Sequence, residues 1–94
     1  MLFAKKIKMC NGCHYSKKCI DIAEIYLSGD GIKEGFYPKA VVHDYIIDNE
    51  KSIVVYLGTM PYLLPGISVS GEKYVRSEPN DTPYDNLLAL PKVY

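Results

Sequence analysis

Four side chains that can bind a soft metal ion lie within ten positions of one another near the start of the chain. They are Cys10, Cys13, His14 and Cys19, and Gly12 stands inside the Cys-x-x-Cys turn. Tetrahedral zinc takes thiolate sulfur and imidazole nitrogen, and a tight turn of this kind presents two sulfurs to one ion. The sequence therefore allows zinc as a cofactor, with these four residues as its candidate ligands.

The spacing of this cluster leaves several alternatives open. Cys13 and His14 are adjacent and do not easily reach one ion together, so His43 is a second candidate ligand, although a lone helical histidine is more typical of a surface or boundary position. The Cys-x-x-Cys-His pattern also matches covalent haem attachment, but no export signal precedes it. A redox pair would need a helix starting at Cys10, and Asn11-Gly12 disfavours one. Unbound thiols are the remaining interpretation, so no cofactor is certain.

The lysines near the start of the chain make a second feature with chemical potential. The whole chain has 11 basic and 11 acidic residues, a net charge of zero. Residues 1–19 hold five lysines and no acid, a charge of +5, so residues 20–94 carry six bases and eleven acids, a charge of −5. A basic segment of this kind favours phosphates or an acidic protein as partner, with Tyr15 available to stack on a base. The candidate nucleic-acid contacts are Lys5, Lys6, Lys8, Lys17 and Lys18.

A third feature lies in the C-terminal half. Tyr74-Val75-Arg76-Ser77, then Asp81, then Asp85-Asn86-Leu87-Leu88-Ala89-Leu90-Pro91 resembles the closing segment of a bacterial family of small domains of unknown function. Members of that family end in a Tyr-hydrophobic-Arg-Thr strand, an acidic turn and an Asp-Asn-Leu-Leu-x-Leu-Pro segment. The resemblance covers about residues 39–91 and implies a compact α+β domain, with no activity attached.

The residues of this segment have a structural and a functional interpretation. In the first, Asp85 or Asn86 caps a helical turn, Arg76 pairs with Asp81 or Asp85, and the leucines of residues 87–90 cover the core. In the second, a polar pocket binds an anionic or nucleotide-like ligand, because the planar guanidinium of the chain's only arginine suits carboxylates and phosphates. The candidate ligand-binding residues are Tyr74, Arg76, Asp81 and Asp85.

The elements that must position these residues follow from hydrophobic periodicity and turn chemistry. Alternation predicts a first strand over residues 3–9, with Lys6 and Lys8 on one face and Ile7 and Met9 on the other. One helix is predicted over residues 38–48, where apolar residues follow Pro38 at helical spacing. The other predicted elements are a strand over 19–27, a central strand over 52–57 buried on both faces, an apolar connection over 62–64, a hairpin of 67–70 with 73–77, and a helical turn over 86–90.

Together these elements predict an α+β domain with a small antiparallel sheet of about four to five strands and one main helix packed on it. A length of 94 residues, with 48% hydrophobic and 23% charged residues, fits one folded domain over residues 1–94. Within it we distinguish a basic, cysteine-containing strand and loop (1–19) from the part that resembles the family (39–91).

The sequence also narrows the class of function. No secretory signal and no membrane-spanning run is visible, which predicts a cytoplasmic protein with reduced thiols and no membrane partner. We expect no enzyme, because no nucleophile triad, phosphate-binding glycine loop or His-Glu-x-x-His motif is visible. We expect a non-enzymatic binding or regulatory domain. The alternatives are a zinc module that contacts nucleic acid through the basic hairpin, and a homo-oligomer that buries residues 62–64 or 87–90 between subunits.

Overall fold

The architecture is a four-stranded sheet, a two-stranded sheet and one α-helix, which confirms the predicted α+β class. The computed structural model describes residues 1–79 and 85–93. The strands are β1 (Leu2–Met9), β2 (Ile22–Gly29), β3 (Gly35–Pro38), β4 (Ile53–Val55), β5 (Leu63–Ile67) and β6 (Lys73–Ser77). The helix is α1 (Lys39–Asp48), and single 3₁₀ turns occur at Cys19–Asp21 and Asn86–Ala89.

The larger sheet is antiparallel except at one edge. Its strand order is β3-β2-β1-β4, and β4 runs parallel to β1. The antiparallel prediction is therefore wrong for this one pair, and the connectivity explains why. The chain leaves β3, crosses one face of the sheet as α1, and enters β4 in the direction of β3, which is the crossover that parallel strands require. Strands β5 and β6 form a separate antiparallel pair.

Strand β1 changes the side that it presents to the core halfway along its length. Leu2 and Ala4 are buried in its first half, and Ile7 and Met9 in its second. The pairing with β2 shifts between Ala4 and Lys6, so Lys5 is an extra residue in the ladder, a β-bulge. One extra residue reverses the alternation of faces, which keeps both halves of the strand packed on the same core.

The core lies between the inward face of the larger sheet, α1, the β5–β6 hairpin and the second 3₁₀ turn. Apolar side chains from all four parts form one buried cluster. Its members outside the larger sheet are Val42, Ile46, Leu63, Val75, Leu87, Leu88 and Leu90. The leucines at 87, 88 and 90 are therefore core residues, as the structural interpretation predicted.

Helix α1 confirms the helix predicted over residues 38–48. The expectation that His43 lies at the surface or boundary is wrong, because it is only 4% exposed and shares the buried side of the helix with Val42 and Ile46. Its Nδ1 lies 3.1 Å from Oδ1 of Asp44. The helix has ten residues, and no helix among residues 1–79 and 85–93 is long and apolar enough to cross a bilayer.

Four predicted elements differ from the structure. Of the hairpin strand predicted over 67–70, only Ile67 is extended, because the strand that pairs with β6 lies earlier in the chain, as β5. The strand predicted from residue 19 begins with a 3₁₀ turn at Cys19–Asp21, and extended structure starts at Ile22. The apolar connection predicted over 62–64 enters β5, where Pro65 is tolerated because β5 pairs on one side only, with β6. The predicted central strand shortens to β4, which is fully buried although it is last in the sheet order.

Candidate functional site

One groove brings together most of the residues predicted to bind a ligand. It has a volume of about 450 Å³ and lies between the first 3₁₀ turn, the β5–β6 hairpin and the start of the second 3₁₀ turn. Tyr74, Arg76 and Asp85 line it, whereas Asp81 lies outside the residues that the structure describes. The other lining residues are Lys18, Cys19, Ile20, Ser68 and Val69.

Helix α1 holds the two sides of the groove together through Lys39. The Lys39 ammonium donates a hydrogen bond of 2.6 Å to the carbonyl oxygen of Ile20 in the first 3₁₀ turn. The same ammonium forms an ion pair with Glu72 in the hairpin turn, and its side chain is only 15% exposed. Because one ammonium contacts both the first 3₁₀ turn and the hairpin turn, Lys39 links the two walls of the groove.

Asp85 anchors the end of the groove through its carboxylate. Both oxygens accept the backbone N–H of Ser77 at 3.0 Å, and Oδ1 also accepts the N–H of Leu87 at 2.8 Å. The bond to Leu87 is the side-chain cap of the second 3₁₀ turn, which confirms the predicted capping role. The Asp85 carboxylate is therefore engaged with the backbone.

Ser77 completes this connection from the opposite side. Its hydroxyl oxygen accepts the backbone N–H of Asn86 at 3.2 Å and its side-chain amide at 3.3 Å, and the hydroxyl donates to the carbonyl of Glu78 at 3.1 Å. Strand β6 and the second 3₁₀ turn are thus joined by reciprocal hydrogen bonds between Ser77 and the pair Asp85 and Asn86. We call these three residues the latch.

Tyr74 forms part of the groove wall because its neighbour on β5 is a glycine. Gly66 pairs with Tyr74 across the hairpin, and a Cβ atom placed on Gly66 would lie 2.7 Å from Cζ of the tyrosine. Heavy atoms do not approach so closely, so any larger residue at position 66 would displace the ring. The glycine therefore allows Tyr74 to lie across β5.

Arg76 is exposed and presents its guanidinium to the groove. Among residues 1–79 and 85–93 the guanidinium has no hydrogen-bond or ion-pair partner. The predicted pairing of Arg76 with Asp85 is therefore wrong. The Asp85 carboxylate accepts hydrogen bonds from the backbone of Ser77 and Leu87 instead. Lys18 adds a second exposed cation to the same groove. The positive side chains of Arg76 and Lys18 therefore lie in a groove whose carboxylate, that of Asp85, is already hydrogen-bonded to the backbone. This arrangement favours a negatively charged ligand.

Cys19 lies in the groove as a protonated thiol. Burial, the negative charge of Asp85 and a hydrogen bond to that carboxylate together raise its pKa to about 12, although the positive charge of Arg76 acts in the opposite direction. Only the thiolate is strongly nucleophilic. Cys19 is therefore a weak nucleophile near neutral pH.

The placement of Cys19 separates the residues predicted to bind zinc. Cys10 and Cys13 share a turn, in which the N–H of Cys13 donates to the carbonyl of Cys10 at 3.0 Å. Cys19 packs instead against β6, because the 3₁₀ turn directs it into the groove. The three cysteines are free thiols, and no group of three or more His, Cys, Asp or Glu side chains within 1–79 and 85–93 is arranged to hold a metal ion. The four-ligand arrangement of Cys10, Cys13, His14 and Cys19 is therefore not formed.

The five lysines predicted to contact nucleic acid are divided between three regions. Lys5, Lys6 and Lys8 belong to β1, whereas Lys18 lines the groove. Lys17 and Tyr15 line a separate cleft beside the second 3₁₀ turn. Sequence reasoning missed the aromatic side chains beside the β1 lysines, because they come from three other parts of the chain.

The segments predicted to lie between subunits are mostly internal. Leu63 and Leu87 are fully buried in the core, and Leu90 is 3% exposed. These leucines stabilise the monomer fold and are not available to a second copy.

Comparison with known proteins assigns a family to most of the chain. The sequence model of a family described as "Protein of unknown function (DUF3892)" matches residues 30–91. The match contains the whole of the region 39–91 for which the sequence resembled a family of unknown function. No curated protein and no solved structure matches the chain.

Proposed function

Because the chain belongs to the DUF3892 family of proteins of unknown function, we propose a function from the groove itself: this is a non-enzymatic binding domain whose groove takes a small ligand bearing a phosphate or carboxylate. The observation that carries the proposal is the guanidinium of Arg76, which has no partner among residues 1–79 and 85–93 and stands beside Lys18. A guanidinium matches the two oxygens of a phosphate or carboxylate with parallel N–H donors.

The other groove residues support binding over catalysis. The carboxylate of Asp85 is occupied by two backbone N–H groups, so it is poorly placed to act as a general base. The thiol of Cys19 has a pKa of about 12, which leaves very little thiolate at neutral pH. The ring of Tyr74 offers a flat surface next to the cations, which suits a ligand that carries a ring as well as an anionic group.

Titration with adenosine monophosphate and with inorganic phosphate, followed by backbone amide NMR shifts, tests this function. We expect both probes to shift the amides of Ser68, Cys19 and Tyr74, the nucleotide at lower concentration. Arg76→Ala should weaken nucleotide binding about 10- to 100-fold, since hydrogen bonds to charged groups are the strong ones, and should leave the melting temperature unchanged. Arg76→Lys keeps the positive charge but lacks the planar guanidinium. Its affinity for the nucleotide should therefore lie between those of the parent protein and of Arg76→Ala.

Lys8→Ala is the matched control, because it removes an exposed cation from β1 and not from the groove. It should leave nucleotide binding unchanged. The proposal fails if neither probe shifts the groove amides at millimolar concentration. It also fails if Arg76→Ala lowers the melting temperature strongly, since Arg76 would then be a structural residue.

A further inference from the structure

The face of the larger sheet that points away from the core carries both aromatic rings and lysines. Tyr26 stands between the buried residues Ile25 and Leu27, and Phe3 between Leu2 and Ala4, so both rings point outward. We call this surface the lysine–aromatic face and define it by Phe3, Lys5, Lys6, Tyr26, Phe36 and Tyr56.

Strand pairing places these side chains in a row across the sheet. Tyr26 pairs with Phe36 of β3 on one side and with Lys6 of β1 on the other. The backbone N–H of Tyr56 donates to the carbonyl of Ala4 at 2.9 Å, which brings its ring beside Lys5. From β3 to the residue that follows β4, the row therefore contains two rings (Phe36 and Tyr26), two lysines (Lys6 and Lys5) and a third ring (Tyr56).

Each lysine of the row is close to a ring. The Lys5 ammonium is 5.4 Å from the ring centroid of Tyr56, and the Lys6 ammonium is 5.0 Å from that of Tyr26. The rings also meet edge to face, with centroids 5.7 Å apart for Phe3 and Tyr56. Contacts of this kind hold the cations and the rings at fixed separations.

We propose that the lysine–aromatic face binds single-stranded nucleic acid. A nucleotide carries a flat base and a negative phosphate, and a lysine about 5 Å from an aromatic ring offers a contact to each. Sequence-tolerant binding of single strands combines base stacking on aromatic rings with cations that follow the backbone. This surface is separate from the groove and does not depend on the ligand proposed for it.

Charge indicates which half of the face the strand follows. Glu24 stands opposite Lys8 in the β1–β2 pairing, and Glu34 accepts the hydroxyl of Tyr26 at 2.6 Å. Both acids repel a phosphate on the β2 and β3 side. On the β1 and β4 side, Lys6 and Tyr56 are exposed, and Tyr56 is 56% exposed. The polyanion therefore runs over Lys5, Lys6 and Tyr56.

Fluorescence anisotropy with labelled oligo(dT) and oligo(U) of about ten nucleotides, and with a DNA duplex of equal length, tests the proposal. We expect both single strands to bind more tightly than the duplex at 50 mM salt. The ammonium groups of Lys5 and Lys6 give two phosphate contacts, which predict a slope of log affinity against log salt of about −1.4, since each contact contributes about −0.7. Oligo(U) against oligo(dT) distinguishes an RNA from a DNA preference.

Paired variants separate stacking from charge. Tyr56→Leu should weaken binding roughly 5- to 100-fold with an unchanged salt slope, and Tyr56→Phe, which keeps the ring, should bind as the parent does. Lys6→Ala should make the slope shallower by about 0.7. Lys17→Ala, in the separate cleft beside the second 3₁₀ turn, is the matched control and should leave both the slope and the oligonucleotide affinity unchanged.

The proposal is overturned if no oligonucleotide binds at 50 mM salt, or if duplex and single strand bind equally and Tyr56→Leu has no effect. Should Tyr56→Leu fail to fold, the Lys6→Ala slope decides in its place. A negative result with oligonucleotides does not change the expected result of the nucleotide titration of the groove. The two proposals are therefore tested independently.

Discussion

Removing the Asp85 carboxylate should destabilise the protein more than any other single change to the latch. Asp85→Ala leaves the backbone N–H groups of Ser77 and Leu87 without their acceptor, and both residues are buried. The lost cap costs about 1 kcal/mol and the lost charged hydrogen bond about 2 kcal/mol. The expected loss is therefore about 3 kcal/mol from a stability of about 5–14 kcal/mol for a domain of this length.

Urea denaturation followed by circular dichroism measures this loss, and thermal melting should show a fall of about 12–24 °C. Asp85→Asn keeps one oxygen acceptor and should cost about half as much. Asp30→Ala is the control, because Asp30 is an exposed acid in a turn and its loss should change stability by less than about 0.5 kcal/mol. A loss below about 1 kcal/mol for Asp85→Ala, or one equal to that of the control, would refute the latch.

Three further predictions concern single side chains. Gly66→Ala should force the ring of Tyr74 out of the groove wall and so weaken nucleotide binding while Tyr74 itself is retained; unchanged binding would contradict the observed contact. In a Cys10→Ser, Cys13→Ser variant, where Cys19 is the remaining thiol, Cys19 should react with iodoacetamide at pH 8 roughly 1000-fold more slowly than a free thiol of pKa 9.0. The reason is that a pKa of about 12 leaves about 1000-fold less thiolate at that pH. Asp44→Asn should remove a stabilising contribution that is present above pH 3.8 and lost as pH falls below it, since hydrogen bonds from Lys73 and His43 lower the pKa of Asp44; equal acid denaturation curves for both proteins would contradict this.

The sign for Cys19 follows from the same linkage. Its pKa is raised in the folded protein, so its contribution to stability is complete below pH 9.0 and is lost as pH rises toward 12. Cys19→Ala should therefore flatten the alkaline part of the stability curve. Alkaline denaturation that is the same with and without the thiol would be evidence against a buried, protonated Cys19.

The elements predicted correctly from sequence are those specified by local signals. Helix α1 follows Pro38 and carries apolar residues at helical spacing, and β1 shows strict alternation around Ile7. The sequence predicts that Asp85 or Asn86 caps the apolar turn, and the structure shows that Asp85 is the cap. Each of these features depends on residues within one or two turns of the chain.

The features that sequence could not supply depend on distant partners. The parallel pairing of β4 with β1 joins residues about fifty positions apart. Strand β5 contains Pro65 and Gly66, which are residue types typical of loops, so the sequence did not predict a strand there. Cys19 is near Cys13 in sequence, but a 3₁₀ turn directs it toward β6. The bulge at Lys5 reverses the faces of β1, which a fixed period of two cannot describe.

The candidate site was predicted in part for the same reason. The sequence predicts Tyr74, Arg76 and Asp85 as residues of one polar pocket, and all three line the groove, where Tyr74 and Arg76 alternate with buried Val75 on β6. Lys18 joins them only through the fold. Tyr56 reaches Lys5 through the parallel β1–β4 pairing, and no local pattern relates two residues so far apart.

The position of β1 inside the sheet has a consequence for the order of folding. Synthesis produces β1 first, yet its edge beyond β4 is completed late: the N–H of Ile7 donates to the carbonyl of Pro91, and the N–H of Val93 donates to the carbonyl of Ile7. These bonds close a loop of more than eighty residues. The chain therefore loses conformational entropy before the hydrogen bonds of Ile7 can stabilise it. On the ribosome, β1 and β2 can pair early as a hairpin. The backbone groups of Ile7 on the outer edge of β1 remain unpaired until residues 91–93 have emerged. Part of the β1 edge therefore remains available for unwanted strand pairing until Pro91 has been synthesised, even after β4 has paired with Leu2–Ala4.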